Sequence, residues 1–182
     1  MSTYSDIAKR VGMIAVIVGM IASGALGADG PGYRGPFGIG RVPSDAEIKA
    51  RDIAVGPDGE GLPPGRGTAS AGEQVYQAKC AACHGPTGTE GPLDKLVGEK
   101  LPVKTIGSFW PYATTVFDYI RRAQPFNQPG SLTDEEVYAL TAWLLFRNQI
   151  IPADQVIDAA TLPKVRMPNR DGFVPDPRPD VD

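Results

Sequence analysis

A mainly α-helical domain with extended, irregular ends is what this sequence predicts. Three observations carry that expectation. A capped run from Thr133 repeats its apolar residues at helical spacing, two shorter segments around Val75 and Val116 do the same, and no stretch alternates apolar and polar residues between hairpin turns. The length of 182 residues suits one domain of ordinary size, while 18 prolines and 22 glycines require much of the chain to be irregular.

The elements follow in chain order. Residues 1–27 read as an export signal: Lys9 and Arg10 precede the uncharged run Val11 to Gly27, and the small residues Ala25 and Gly27 stand before a cut at Ala28. The mature protein is then expected in the periplasm. The alternative is an uncleaved anchor over residues 11–27, a run of about 17 residues at the lower edge of what spans a bilayer, and only in that case is a membrane involved. Residues 28–67 are rich in glycine and proline and poor in large apolar residues, so they are expected to lie as an extended arm, with a weak helix over Asp45 to Ile53. The remaining 68–182 form the domain with a C-terminal wrap. Gly72, Val75, Tyr76 and Lys79 predict a short helix running into Cys80. Val116, Phe117 and Ile120 share a face of a second helix over Tyr112 to Arg122, with Pro111 suited to its first position and Pro125 ending it. Thr133 and Glu136 make a capping box for the third, whose Val137, Leu140, Thr141, Leu144 and Leu145 line one side and which ends before Pro152. A tail follows, with a short helical turn expected over Val156 to Leu162.

The chemistry is concentrated in five residues. Cys80 and Cys83 are the only cysteines, and the only histidine, His84, comes directly after the second. This C-x-x-C-H spacing lets two thiols add to the two vinyl groups of one haem while the adjacent imidazole reaches the iron. A thioredoxin-like redox pair would need a βαβ pattern, and a zinc site would need two further ligands; neither exists in the sequence. A ligating histidine needs an acceptor for its second ring nitrogen, and the turn Gly91-Pro92-Leu93 is placed to offer one. For the other side of the iron, Met1, Met13 and Met20 fall in the export segment, so Met167 is the one thioether left in the mature chain. Gln124, a lysine such as Lys104, and an open site are the alternatives. The net charge of −3, without a basic stripe, excludes the usual nucleic-acid binder. No carboxylate cluster gathers around a histidine for acid-base catalysis, so the reading is an electron-transfer protein and not an enzyme.

Residues 70–148 resemble the small class I cytochromes c: a helix, C-x-x-C-H, a Gly-Pro turn, and a last helix containing an aromatic. The resemblance implies the Pro92 carbonyl as partner of His84, and a crossing of first and last helices at Tyr76 and Trp143 with Gly72 allowing close approach. In that family the axial methionine stands just before the last helix, where this chain reads Gln124-Pro125-Phe126. Here Met167-Pro168 would have to arrive from a tail folded back on the domain. Gly107 to Ala123, Ser131 to Leu145 and Leu162 to Phe173, together with the arm around Phe37 to Arg41 and Pro57 to Gly65, further resemble the cytochrome subunits of periplasmic molybdenum sulfite dehydrogenases and of the sulfane dehydrogenase of thiosulfate oxidation. This implies one covalent haem c, a molybdenum-cofactor dehydrogenase subunit as electron donor and another cytochrome c as acceptor. A general periplasmic shuttle, or a haem protein whose open sixth position binds gas or performs catalysis, are the competing functions.

Overall fold

The structure is a computed structural model, described here for residues 39–98 and 102–178. The proposed export segment lies outside the described residues. Six helices and one minimal two-stranded ladder occur among them: α1 Asp45–Arg51, β1 Arg66–Gly67, α2 Ala69–Lys79, α3 Ala81–His84, α4 Ile106–Phe109, α5 Ala113–Ala123, α6 Asp134–Arg147 and β2 Ile157–Asp158, followed by a 3-10 turn over Leu162–Lys164. The domain is mainly α, as its periodicity requires. No helix of the described residues is long and apolar enough to cross a membrane.

Helix α6 organises the rest. Thr133 accepts from the Glu136 amide at 3.2 Å and the Glu136 carboxylate accepts from the Thr133 amide at 2.9 Å, which satisfies two amides that the first turn leaves unpaired. Every residue from Val137 to Leu145 is buried, so α6 is enclosed on all sides and not only along the apolar stripe seen in the sequence. Thr141, a buried hydroxyl in that run, donates to the Val137 carbonyl at 2.8 Å and so is paired inside the core. α2, α4, α5 and both strands pack against α6. The closest of these contacts is with α2, where Tyr76 and Trp143 stack with ring centroids 3.8 Å apart. Gly72 makes that approach possible, because a Cβ there would lie 1.9 Å from the Ala139 carbonyl oxygen.

Several boundaries differ from expectation. Helix α5 begins after Tyr112, which is its N-cap, so Pro111 stands one residue outside the helix and not at its first position. The short helix α4 carries too few residues to show periodicity; its only signal is the cap, where Thr105 accepts from the Ser108 amide and Ser108 accepts from the Thr105 amide. The expected helical turn over Val156 to Leu162 is instead β2 and a tight turn, since Asp158 accepts from the amides of Ala160 and Thr161 at 2.9 Å. β2 pairs antiparallel with β1, Arg66 opposite Asp158 and Gly67 opposite Ile157.

The chain divides into two units between Ala50 and Arg51, so the body takes in the second half of the arm. Those residues are pinned to it: the Val55 amide donates to Asp118 at 3.0 Å, and the Tyr138 hydroxyl donates to the Pro63 carbonyl at 2.8 Å.

Burial also sets an alkaline limit on the fold. It pushes the phenols of Tyr76 and Tyr138 up from 10.0 to about 12. Both therefore hold their protons more tightly folded than unfolded, and their contribution is complete below pH 10 and lost as pH rises towards 12. Urea midpoints should hold up to that lower bound and then fall, and Tyr138→Phe should flatten the fall.

Candidate haem site

Cys80 ends α2 and begins α3, and the single turn of α3 brings Cys83 and His84 round to it. The amides of Cys83 and His84 both donate to the Cys80 carbonyl, at 3.1 and 3.0 Å. Residues three apart on a helical turn share a face, so this turn presents both thiols on one side. Both cysteines are free; Cys80 is half-buried against the core and Cys83 is exposed. Burial pushes the Cys80 thiol up to about 11, only partly offset by the neighbouring Lys79 ammonium, so it is held as a thiol at neutral pH.

The imidazole of His84 is fixed through one nitrogen. Its Nδ1 lies 2.8 Å from the carbonyl oxygen of Asp94, to which an Nδ1–H donates. That bond leaves Nε2 as the nitrogen able to bind a metal. The acceptor expected at Pro92 is thus two residues further on. The reason is local: the Leu93 amide donates to the Cys83 carbonyl at 3.1 Å, which turns the Gly91-Pro92 corner against α3 and leaves the next part of the loop to cross the ring. Pro92 itself is exposed and shapes that corner.

The remaining sulfur comes from the tail. Met167 is buried, 1 % exposed, in the hydrophobic cluster against which Cys80 and Ala81 also pack. Its segment is anchored on both sides: Leu162 is buried in the same cluster, and Asn169 Nδ2 donates to the Phe109 carbonyl at 2.7 Å. Arg170 lies over the Tyr112 ring at 3.9 Å and adds a further hold. The tail therefore does fold back onto the domain. Of the other candidate ligands, Gln124 donates through Nε2 to the Tyr119 hydroxyl at 3.4 Å and Lys104 stands 4.6 Å above the Phe109 ring.

These residues fit a covalent haem. Two unpaired thiols share one turn, the imidazole following them has its second nitrogen already occupied by a carbonyl, and a buried thioether sits in the adjoining core. No group of three or more His, Cys, Asp or Glu gathers among the described residues.

The comparisons with known proteins point the same way. Residues 67–144, which span α2 to most of α6, match the family model described as cytochrome c oxidase, cbb3-type, subunit III. A chain in the crystal structure of the sulfane dehydrogenase SoxCD from Paracoccus pantotrophus superposes with a TM-score of 0.71 at 40% identity, covering 78% of this chain and 73% of that one. No curated protein matches the chain. On the strength of the C-x-x-C-H turn, the helix crossing at Gly72 and these two matches, the chain belongs to the class I c-type cytochromes, electron-transfer proteins with covalently bound haem, and within them it resembles the cytochrome subunit of sulfane dehydrogenase.

Proposed function

We propose that this protein is a periplasmic cytochrome with one haem c, receiving single electrons from a molybdenum-cofactor dehydrogenase subunit that oxidises sulfite or a related sulfur compound, and passing them to a downstream cytochrome c. Cys80 and Cys83 would hold the haem, His84 would ligate its iron, and Met167 would supply a second protein ligand. The bound group provides reversible one-electron chemistry; the chain's own part is to attach it, fix the imidazole, supply the sulfur and keep water from the iron. The observation that carries the electron-carrier reading is the burial of Met167 in the same hydrophobic cluster against which Cys80 packs, because a thioether that binds the iron would close the sixth site and favour ferrous iron. The sulfur assignment is supported by the 40% identity to a SoxCD chain over most of both lengths. Exposed apolar residues are available to a partner: Ile53, Phe173 and Val174 on the body, and Ile39 and Val42 on the preceding segment.

The test is isolation of the native protein from periplasmic extract. A mature chain beginning at Ala28 is expected to elute with a molybdenum-containing subunit, and sulfite or a sulfane substrate should reduce the haem in that fraction. Elution alone, with no reduction by sulfur compounds after adding back extract, would replace the dehydrogenase assignment with a general shuttle.

A further inference from the structure

The last helix ends on a buried polar side chain whose bonds reach well beyond the helix. Asn148 caps α6 and is 4 % exposed. Its Nδ2 donates to the Leu144 carbonyl at 2.8 Å, which serves the helix terminus. The same Nδ2 donates to the Leu96 carbonyl at 3.1 Å, and Oδ1 accepts from the Gly98 amide at 3.0 Å. Two of its three side-chain bonds therefore hold a distant loop. A cap alone would not require them, because the Asn148 amide already donates to the Leu144 carbonyl at 3.1 Å.

That loop is the one that carries Asp94. Its other tethers point the same way: the amides of Leu96 and Val97 donate to the Gly88 carbonyl at 2.8 and 3.1 Å, and the Thr105 hydroxyl donates to the Gly98 carbonyl. Gly107 of α4 lets the amide sit this deeply, since a Cβ there would lie 2.5 Å from Asn148 Oδ1. An asparagine buried with three of its hydrogen-bonding positions filled has little freedom, and leaving those loop groups unpaired would be costly. The end of α6 thus fixes the backbone two residues beyond the carbonyl that receives the His84 ring proton.

We propose that Asn148 is a positioning residue for the iron ligand: by clamping residues 96–98 it holds the Asp94 carbonyl against His84 Nδ1–H and so sets the electron-donating strength of the imidazole. The proposal rests on the reading of His84 as the iron ligand. A firm acceptor at Nδ1 makes an imidazole a stronger donor, which stabilises ferric iron and lowers the potential; loosening the acceptor acts in the opposite direction.

The experiment uses the reduced, haem-loaded protein labelled with ¹⁵N. Solvent exchange of the His84 Nδ1–H proton and the midpoint potential are measured for wild type, Asn148→Ala, Asn148→Asp and Thr133→Ala. Asn148→Ala should speed that exchange at least about tenfold, the scale of one weakened buried hydrogen bond with its loop opening. It should also raise the midpoint potential. Asn148→Asp keeps an acceptor for the Gly98 amide but loses both donated bonds, so it should move both readouts in the same direction and serves if the alanine variant does not fold. Thr133→Ala removes the cap at the other end of α6 and lowers stability, and it should leave exchange and potential near wild type. If the Asn148 variants shift neither readout beyond Thr133→Ala, the positioning role is overturned while His84 stands as ligand. If the wild type shows no protected Nδ1–H and stays low-spin when His84 is replaced, the ligand reading falls and the positioning role with it.

Discussion

Replacing Met167 by leucine is expected to leave the protein folded and to remove its sixth iron ligand. The side chain is buried at 1 % exposure, so truncation to alanine combines two losses, about 2–5 kcal/mol of packing and the sulfur itself. Leucine keeps most of the volume, at a cost of less than about 1.5 kcal/mol, and so isolates the chemistry. The wild type should show six-coordinate haem with a weak far-red sulfur-to-iron band and little affinity for carbon monoxide. Met167→Leu should lose that band, bind carbon monoxide readily when reduced, and have a lower midpoint potential, since thioether sulfur favours the ferrous state. Retention of the band in Met167→Leu would move the ligand role to another group and remove the main support for a closed electron carrier.

Gly72→Ala is expected to be among the most damaging single-methyl changes in the chain. In an exposed helix the same substitution would stabilise by about 1 kcal/mol. At this position the new Cβ would meet the Ala139 carbonyl oxygen at 1.9 Å and the Trp143 Cβ at 2.7 Å. A backbone carbonyl in mid-helix has no rotamer to escape into, so α2 and α6 must move apart. That separation weakens the Tyr76 to Trp143 stack, worth about 0.5–1.5 kcal/mol beyond its buried area, and adds an overpacking cost of about 1–3 kcal/mol or more. The sign of the effect is therefore reversed relative to propensity. Chemical denaturation of the purified variant should show a midpoint well below wild type; a midpoint equal to or above it would mean that the two helices do not cross as described.

The features legible in the sequence are those written in contiguous residues. Cys80, Cys83 and His84 are adjacent along the chain, and the Thr133 to Glu136 box announces α6 before any packing is considered. The helix crossing at Gly72 was accessible through family resemblance, and the geometry supplies its reason. What was not legible depends on partners distant in sequence. Nothing about Asp94 marks its carbonyl as the acceptor for His84, because any residue offers a carbonyl and only the turn held by Leu93 selects this one. Asn148 reads as an ordinary polar helix end until the loop around Leu96 is placed beside it. Helix α4 has one turn and no periodicity, and the segment Val156 to Leu162, expected as a helical turn, is too short to show a period and is set instead by the strand pairing and by the Asp158 turn. The burial of α6 on every side from Val137 to Leu145 is likewise a tertiary property: strands and an arm that carry no local signal of where they will lie pack against it.

The short ladder between β1 and β2 has a consequence for how the molecule is assembled. It joins the segment just before the first body helix to the segment just after the last one, with α2 to α6 in between. Contacts closed across so much chain are entropically expensive until the intervening helices have docked, so the ladder is expected to form late. Met167 lies just beyond β2 on the same strip of chain. Ile157, Leu162 and Met167 are all buried in the cluster that the helices build, so on refolding the sulfur should reach its place only after the helical core has docked, and the molecule would gain its shape before its second iron ligand.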